Sequence, residues 1–505
     1  MNYIGIDLGT SAVKLLLMNE KGEVLSSVSK EYPISFPKPG WSEQNPEDWY
    51  KAVVRGVREL VDMDDDSAGG CEEFAYSDLA QKVAGISFGG QMHGLVVLDE
   101  NDDVIRPAIL WNDGRTVKEC EYLNEVIGKS KISDYTANIA FAGFTAPKIL
   151  WMKENEPENF ARIKKIMLPK DYIAYKLTGV FATDVSDASG MLLFDVKNRC
   201  WSQEMLDICG ISKEQLANVY ESYECIGTVI DDVADKLRLP FGVKVMAGAG
   251  DNAAAAVGTG TVGNGMCNIS VGTSGTVFIA MDKFGVDENN ALHSFDHADG
   301  GYHLMGCMLS AASCNKWWSE DILKTSDYAG EQAMIDTDKL GMNKVFYLPY
   351  LMGERSPHND AFARATFTGI SMDTERQDLT LAVLEGVAFG LRDSLEVARN
   401  LGITINKSNL CGGGAKSPLW RRILANVLDV ELQIPEVEEG PAMGACMLAM
   451  VGCGAYENVE AAVNAIVKVK EVVKPEPELV GLYDQRYSEF SQIYPALKNV
   501  FKNII

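Results

Sequence analysis

The sequence predicts an α/β protein built from two related domains, and three observations predict it. The chain has 505 residues, which is long for a single domain. Two stretches, DLGTSAVKLLL from Asp7 and ISVGTSGTVFI from Ile269, align on a shared Gly-Thr-Ser about 263 residues apart. Each reads as strand, small polar turn, strand. Between them, Val243–Ala247 is an apolar run that ends in Gly248-Ala249-Gly250, then Asp251, Asn252 and four alanines. That pattern reads as a strand, a tight turn and a helix start.

Composition narrows the function. A hydrophobic fraction of 47% with 23% charged residues is that of an ordinary globular protein. The formal net charge of −25 argues against a nucleic-acid groove or an anionic membrane as partner, since both need a basic surface. No run of about 18 apolar residues is present, and the start MNYIGIDLGT has neither the basic nor the long apolar region of a secretory signal. The 11 cysteines are odd in number and scattered, with no CxxC pair. This pattern predicts reduced thiols and a cytoplasmic location.

The first hairpin runs from Tyr3–Ile6 through Asp7 and the turn Leu8-Gly9-Thr10-Ser11 to Val13–Met18. Its loop, with an acid, a glycine and two hydroxyls, reads either as a polar hairpin turn or as a phosphate loop. The same two readings hold for Gly272-Thr273-Ser274-Gly275, whose small side chains leave backbone N–H groups open to an oxyanion. Trp49–Val61 has a helical period, and the acidic stretch 62–80 reads as a solvated loop. Val83–Phe88 is a strand running into Gly89-Gly90-Gln91-Met92-His93-Gly94, and Ala108-Ile109-Leu110 runs into Trp111-Asn112-Asp113. Polar groups placed directly after apolar strands lie where α/β proteins bind ligands. A lone histidine is as readily structural; the flanking glycines make His93 equally a ligand contact.

His293, His297 and His303 sit in HSFDHADGGYH, but Asp-Gly-Gly is hairpin chemistry, so the i, i+4 spacing does not describe a helical metal site. Leu379–Leu391 has a helical period. Leu410-Cys411 opens Gly412-Gly413-Gly414-Ala415, where three glycines leave backbone open to a flat ligand such as adenine. The tail from Tyr483 reads as an amphipathic packed helix.

These residues together resemble the FGGY carbohydrate kinases of the sugar kinase/Hsp70/actin superfamily, over essentially the whole chain. One matching pattern is Gly143-Phe144-Thr145-Ala146-Pro147-Lys148-Ile149-Leu150-Trp151. The other runs from Ala365 through Phe367, Gly369 and Ile370 to Asp378-Leu379 and Ala382-Val383-Leu384-Glu385. Within the family, GQMHG followed by ILWNDGRT is most similar to the branch that acts on xylulose.

The resemblance implies two actin-like, ribonuclease H-like domains around a deep cleft. Residues 1–255 would bind sugar and carry the base, and residues 256–505 would bind nucleotide. It implies ATP-dependent phosphorylation of D-xylulose to D-xylulose 5-phosphate. The alternatives are a kinase for another ketose or polyol, such as ribulose or a deoxy sugar, and a non-catalytic sugar sensor. Asp251 is the expected base. Its place at a helix N-terminus predicts that the dipole keeps it ionised and weakly basic. Asp7 is expected to hold Mg²⁺. Thr10, Ser11, Gly272 and Thr273 are expected to line the phosphates, and Gly413, Gly414 and Ala415 the adenosine. Gln91, Met92, His93, Trp111 and Asn252 are expected to bind the sugar with Asp251. Arg422 and Asn426 depart from the family pattern near the expected adenine end. The partners implied are a small sugar and ATP, with no nucleic acid and no membrane; a homodimer is left open.

Overall fold

The computed structural model describes residues 1–62, 77–436 and 440–504. Most of the acidic stretch 62–80 lies outside the described residues. The chain divides into two compact units. One comprises Met1–Val262, Ser294–Tyr302 and Glu439–Val467; the other comprises Gly263–His293, His303–Glu438 and Lys468–Ile505.

In chain order, the first unit opens with β1 (Asn2–Leu8), β2 (Ala12–Asn19), β3 (Val24–Glu31) and α1 (Pro46–Asp62). It continues through β4 (Val83–Gly90), α2 (Thr145–Asn155), α3 (Pro169–Thr178), β5 (Cys225–Thr228), β6 (Lys244–Met246) and α4 (Asp251–Thr259). The second unit holds β7 (Met266–Val271), β8 (Gly275–Met281), β9 (Tyr302–Met308), α5 (Arg376–Asn400), β10 (Lys407–Cys411), α6 (Pro418–Leu428) and β11 (Glu431–Pro435). The chain then returns to the first unit for α7 (Gly440–Gly452), and β12 (Val469–Val473) and α8 (Pro477–Ile504) close the second.

The two units repeat one topology, as the paired Gly-Thr-Ser hairpins predict. In the first, the sheet order is β5–β6–β4–β1–β2–β3; in the second, β12–β11–β10–β7–β8–β9. The directions also match. β1 and β7 each pair antiparallel with the next strand and parallel with β4 or β10. Beyond these, β4 pairs parallel with β6, and β10 parallel with β11. β5 and β12 then add antiparallel at the edge.

Burial explains why these residues form these elements. β1 is buried almost throughout and is apolar nearly end to end, as a central strand must be. β3, two strands out at the sheet edge, alternates exposed and buried residues near its middle. α1 buries Trp49, Ala52, Val53, Gly56, Val57 and Leu60, a stripe at helical spacing. In the second unit, the family-pattern residue Glu385 is structural. Its buried carboxylate takes a hydrogen bond from Tyr483 Oη at 3.0 Å and pairs with Arg486 at 2.8 Å, tying α5 to α8. Among the described residues no helix is long and apolar enough to cross a membrane.

The tightest packing lies under the Asp251 helix. A Cβ on Gly444 of α7 would sit 1.9 Å from the Ala254 carbonyl of α4, and one on Gly258 of α4 would sit 1.9 Å from the Gly440 carbonyl. A Cβ on Gly5 of β1 would sit 2.0 Å from the Ala442 carbonyl of α7. Backbone meets backbone here, so no rotamer change can make room. Gly444→Ala is therefore expected to lower stability by about 1–3 kcal/mol or more. Gly481→Ala, in α8 with nothing near its Cβ position, is expected to be neutral or slightly stabilising. Thermal melts of the two variants beside the parent check this.

Candidate active site

Strand register places two carboxylates at one strand end. Asp7 of β1 pairs with Gly89 of β4, and on the other side of β4 Ala249 pairs with the same glycine. Gly250 pairs with Gly90 and then caps α4, which begins at Asp251. Gly89 admits the helix: a Cβ there would stand 3.0 Å from Ala254 Cβ. Asp7 and Asp251 thus flank one strand end close enough to repel. Burial first, then the charge of Asp251, pushes Asp7 up to about 7, against the pull of Lys14. Burial pushes Asp251 up to about 6, against the Asn252 backbone N–H that it accepts at 2.7 Å. The expectation of a weak base held ionised at the helix N-terminus is corrected: burial raises Asp251 against the Asn252 N–H and makes it a stronger base.

Next to this pair, Met92 is buried and its Sδ lies 3.7 Å from Asn252 Nδ2. A Cβ on Gly250 would touch the Met92 side chain at 3.0 Å. His93 is partly exposed, with its Nδ1 2.7 Å from the Gly190 carbonyl and its ring 4.7 Å from that of Phe144. Trp111 is 47% exposed and donates from Nε1 to Thr10 Oγ1 at 3.0 Å, so its ring borders the first Gly-Thr-Ser turn. Ser11, in the same turn, is exposed. Gln91 is engaged by the protein through its amide nitrogen. Its side chain is buried and donates to Gln44 Oε1 at 3.1 Å, while Gln44 donates to the Thr10 carbonyl at 2.7 Å. Tyr32 adds a hydroxyl hydrogen bond to the Gly9 carbonyl.

Behind the strand end lies a buried ionic group that sequence reasoning missed. Lys170 Nζ sits 2.7 Å from Asp171 Oδ1, 2.8 Å from Asp184 Oδ1 and 3.8 Å from Asp187 Oδ2, with all four side chains buried. Asp184 Oδ2 accepts from the backbone N–H of Ser186 at 2.9 Å, and Ser186 Oγ accepts from Gly250 N at 3.1 Å. The N-terminus of the Asp251 helix is therefore tied to the cluster. Burial pushes Asp187 well above the usual carboxylate range; Lys170 opposes this, and Asp171, Asp184 and Asp251 add to it. The available signal was Lys170-Asp171 at the start of an apolar helix, and Asp184 with Asp187 in an otherwise small and apolar stretch.

In the second unit, Gly272 and Thr273 of the β7–β8 turn share a cavity of about 700 Å³ with Gly413 and Gly414. Asn315 and Trp420 also line it. The three glycines have different reasons. Gly412 has φ +89° and packs on Val271, and a Cβ on Gly414 would stand 2.5 Å from Val271 Cγ1; only Gly413 faces open space. Ala415 is buried behind the turn. Arg422 and Asn426 are engaged elsewhere: Arg422 Nε and Nη2 donate to Glu476 at 2.7 and 2.8 Å, and the Glu476 N–H donates to Asn426 Oδ1 at 2.6 Å. His297 Nε2 lies 2.9 Å from the Thr261 carbonyl, and His303 stacks on Phe278 at 4.0 Å.

Two family models cover most of the chain. Residues 2–258 match the N-terminal domain of the FGGY family of carbohydrate kinases, and residues 267–453 match the C-terminal domain. The chain belongs to the FGGY family of carbohydrate kinases. It is 40% identical to a xylulose kinase of Lactococcus lactis subsp. lactis over 100% of this chain and 99% of that one. It is 38% identical to a xylulose kinase of Escherichia coli, with 98% and 99% covered. A crystal structure described as a xyloylose kinase from Brucella ovis superposes with a TM-score of 0.91 at 36% identity, covering 99% of this chain and 100% of that one. As a carbohydrate kinase, the protein takes a sugar and ATP as substrates.

The raised Asp251 has a stability consequence. Its folded value of about 6 lies above that of an unfolded carboxyl, about 4. The folded state therefore binds this proton more tightly. Asp251 costs stability above pH 6 and costs none below about pH 4. Asp251→Asn is expected to stabilise the ligand-free protein by about 1–3 kcal/mol at pH 8. The advantage should fade as pH falls from 6 to 4. Melting both proteins across that range checks it.

Proposed function

We propose that the protein transfers the γ-phosphoryl group of ATP to O5 of D-xylulose, giving D-xylulose 5-phosphate and ADP. The observation that supports this most is full-length identity of 36–40% to several xylulose kinases. The pairing of Asp251 with Met92-His93 at one strand end agrees with it.

In this reading residues 1–255 supply the sugar site and the base, and residues 256–505 the nucleotide site. Asp251 takes the O5 proton as the bond from O5 to phosphorus forms and the bond from phosphorus to ADP breaks. A base with a value near 6 is largely ionised at neutral pH yet basic enough to accept that proton. His93 and Asn252 hydrogen-bond sugar hydroxyls, Met92 and Trp111 cover the carbon skeleton, and Gln91 holds the Thr10 turn from behind. Thr10, Ser11, Gly272 and Thr273 contact phosphate oxygens. Gly413 and Gly414 lie along the adenosine, with Ala415 beneath them.

Asp7 fits a divalent cation. It is a desolvated carboxylate that already suffers repulsion from Asp251, and a cation relieves both. Bound there through water, Mg²⁺ would neutralise charge on the phosphates as they separate. Asp7 keeps its own carboxylate aimed from the end of β1. A cytoplasmic location agrees with a need for ATP.

A coupled assay of ADP formation across D-xylulose, ribulose, glycerol and gluconate tests the substrate. D-Xylulose is expected to give the highest kcat/KM by at least about tenfold, or roughly 1.4 kcal/mol. A higher value for any other sugar overturns the assignment. Asp251→Asn is expected to lower kcat by about 10²–10⁴-fold while both substrates still bind by calorimetry. His93→Ala is expected to lower kcat/KM for D-xylulose at least about tenfold, with the KM for ATP nearly unchanged. Equal losses on all sugars together with a lower Tm would mark His93 as structural.

A further inference from the structure

His93 is held in an unusual backbone conformation, with φ at +66°. A non-glycine residue pays for this conformation and keeps it only where its surroundings impose it. Two donors from α2 meet its carbonyl. Thr145 Oγ1 donates to the His93 carbonyl at 3.0 Å, and Lys148 Nζ donates to the same oxygen at 2.8 Å. Thr145 and Lys148 are three residues apart, so they share one face of the helix. Lys148 Nζ also donates to the Gly143 carbonyl at 2.8 Å. Gly143 in turn abuts Trp111: a Cβ there would stand 2.6 Å from the Trp111 carbonyl. One ammonium thus joins the backbone that carries His93 to the backbone that packs on Trp111.

The arrangement costs stability. Lys148 is completely buried, and burial pulls it down to about 7 against the opposing charge of Asp113. An apolar side chain of similar volume would fill the site without desolvating a charge. What it lacks is donors for two main-chain carbonyls. The imidazole is constrained from the other side as well, since a Cβ on Gly190 would stand 2.5 Å from the ring. With the carbonyl clamped and the ring braced, His93 has little freedom left.

We propose that Lys148, with Thr145, is the positioning residue for sugar recognition, holding His93 in the left-handed conformation that aims its imidazole at the substrate. Neither side chain touches the sugar. The proposal rests on the reading of His93 as a sugar contact.

Steady-state kinetics on the full-length enzyme test it, with D-xylulose and ATP varied in turn and melting measured alongside. Lys148→Met keeps the volume and removes the donors. It is expected to raise the KM for D-xylulose at least about tenfold, the scale of a lost charged hydrogen bond, with the KM for ATP within about twofold. Thr145→Val removes only the weaker donor and is expected to raise the sugar KM about two- to fivefold. His93→Asn suits the left-handed backbone, and adding Lys148→Met to it is expected to cause little further loss, because Lys148 acts through His93. A lower Tm with the sugar KM within twofold of the parent overturns the proposal, and so do losses that add in the double variant. If Lys148→Met does not fold, Thr145→Val decides: an unchanged sugar KM rejects the clamp. Should the parent enzyme prefer another sugar, the substrate assignment fails, and the same variants measured on that sugar still test the clamp.

Discussion

The active end of the first unit depends on backbone packed directly against backbone. α4, which starts at Asp251, lies on α7 through Gly258 and Gly444, and α7 lies on β1 through Gly5. A main-chain carbonyl is the nearest atom at each of these points, so the separations are set chiefly by van der Waals radii of main-chain atoms. Asp7 is carried by β1 and Asp251 by α4. The distance between the two carboxylates is thus inherited from the closest packing in the unit. The alanines of α4 and the glycines of α7 are what that approach requires.

This rigid placement has an electrostatic consequence. Two carboxylates fixed beside one strand end are both desolvated and both raised. Behind them Lys170 faces three further carboxylates, and Asp187 is driven far above its usual range. To one side Lys148 spends a buried charge on two carbonyls. A fold selected for stability alone would replace such groups by apolar ones. Their concentration around one strand end marks where the molecule trades stability for geometry and basicity.

Much of the architecture was legible in local pattern. The two Gly-Thr-Ser hairpins, the strand–turn–helix at Asp251 and the helical period before Leu391 all formed where the apolar spacing put them. Such features depend on neighbours in sequence, and periodicity reports them. The reasons behind individual residues were less legible. Three glycines at 412–414 read as open backbone, but two of them answer to Val271 on another strand. Gln91 read as a ligand contact, yet its amide meets Gln44, 47 residues away. Arg422 and Asn426 read as neighbours of adenine, yet both bind Glu476.

The sequence by itself determined the fold class, the duplicated hairpins and the family, because each rests on residue types at set spacing. It also singled out Asp7, Asp251 and His93 as chemistry-bearing residues placed after apolar strands. Tertiary structure alone decided how basic Asp251 is, since desolvation depends on what the fold lays over the carboxyl. It alone assembled Lys170 with Asp184 and Asp187, and it alone brought Thr145 and Lys148 to the carbonyl of His93, about fifty residues earlier in the chain. Local pattern reports which face of an element is apolar. It does not report which distant atom a buried donor will meet, because that partner is chosen by packing across the whole unit.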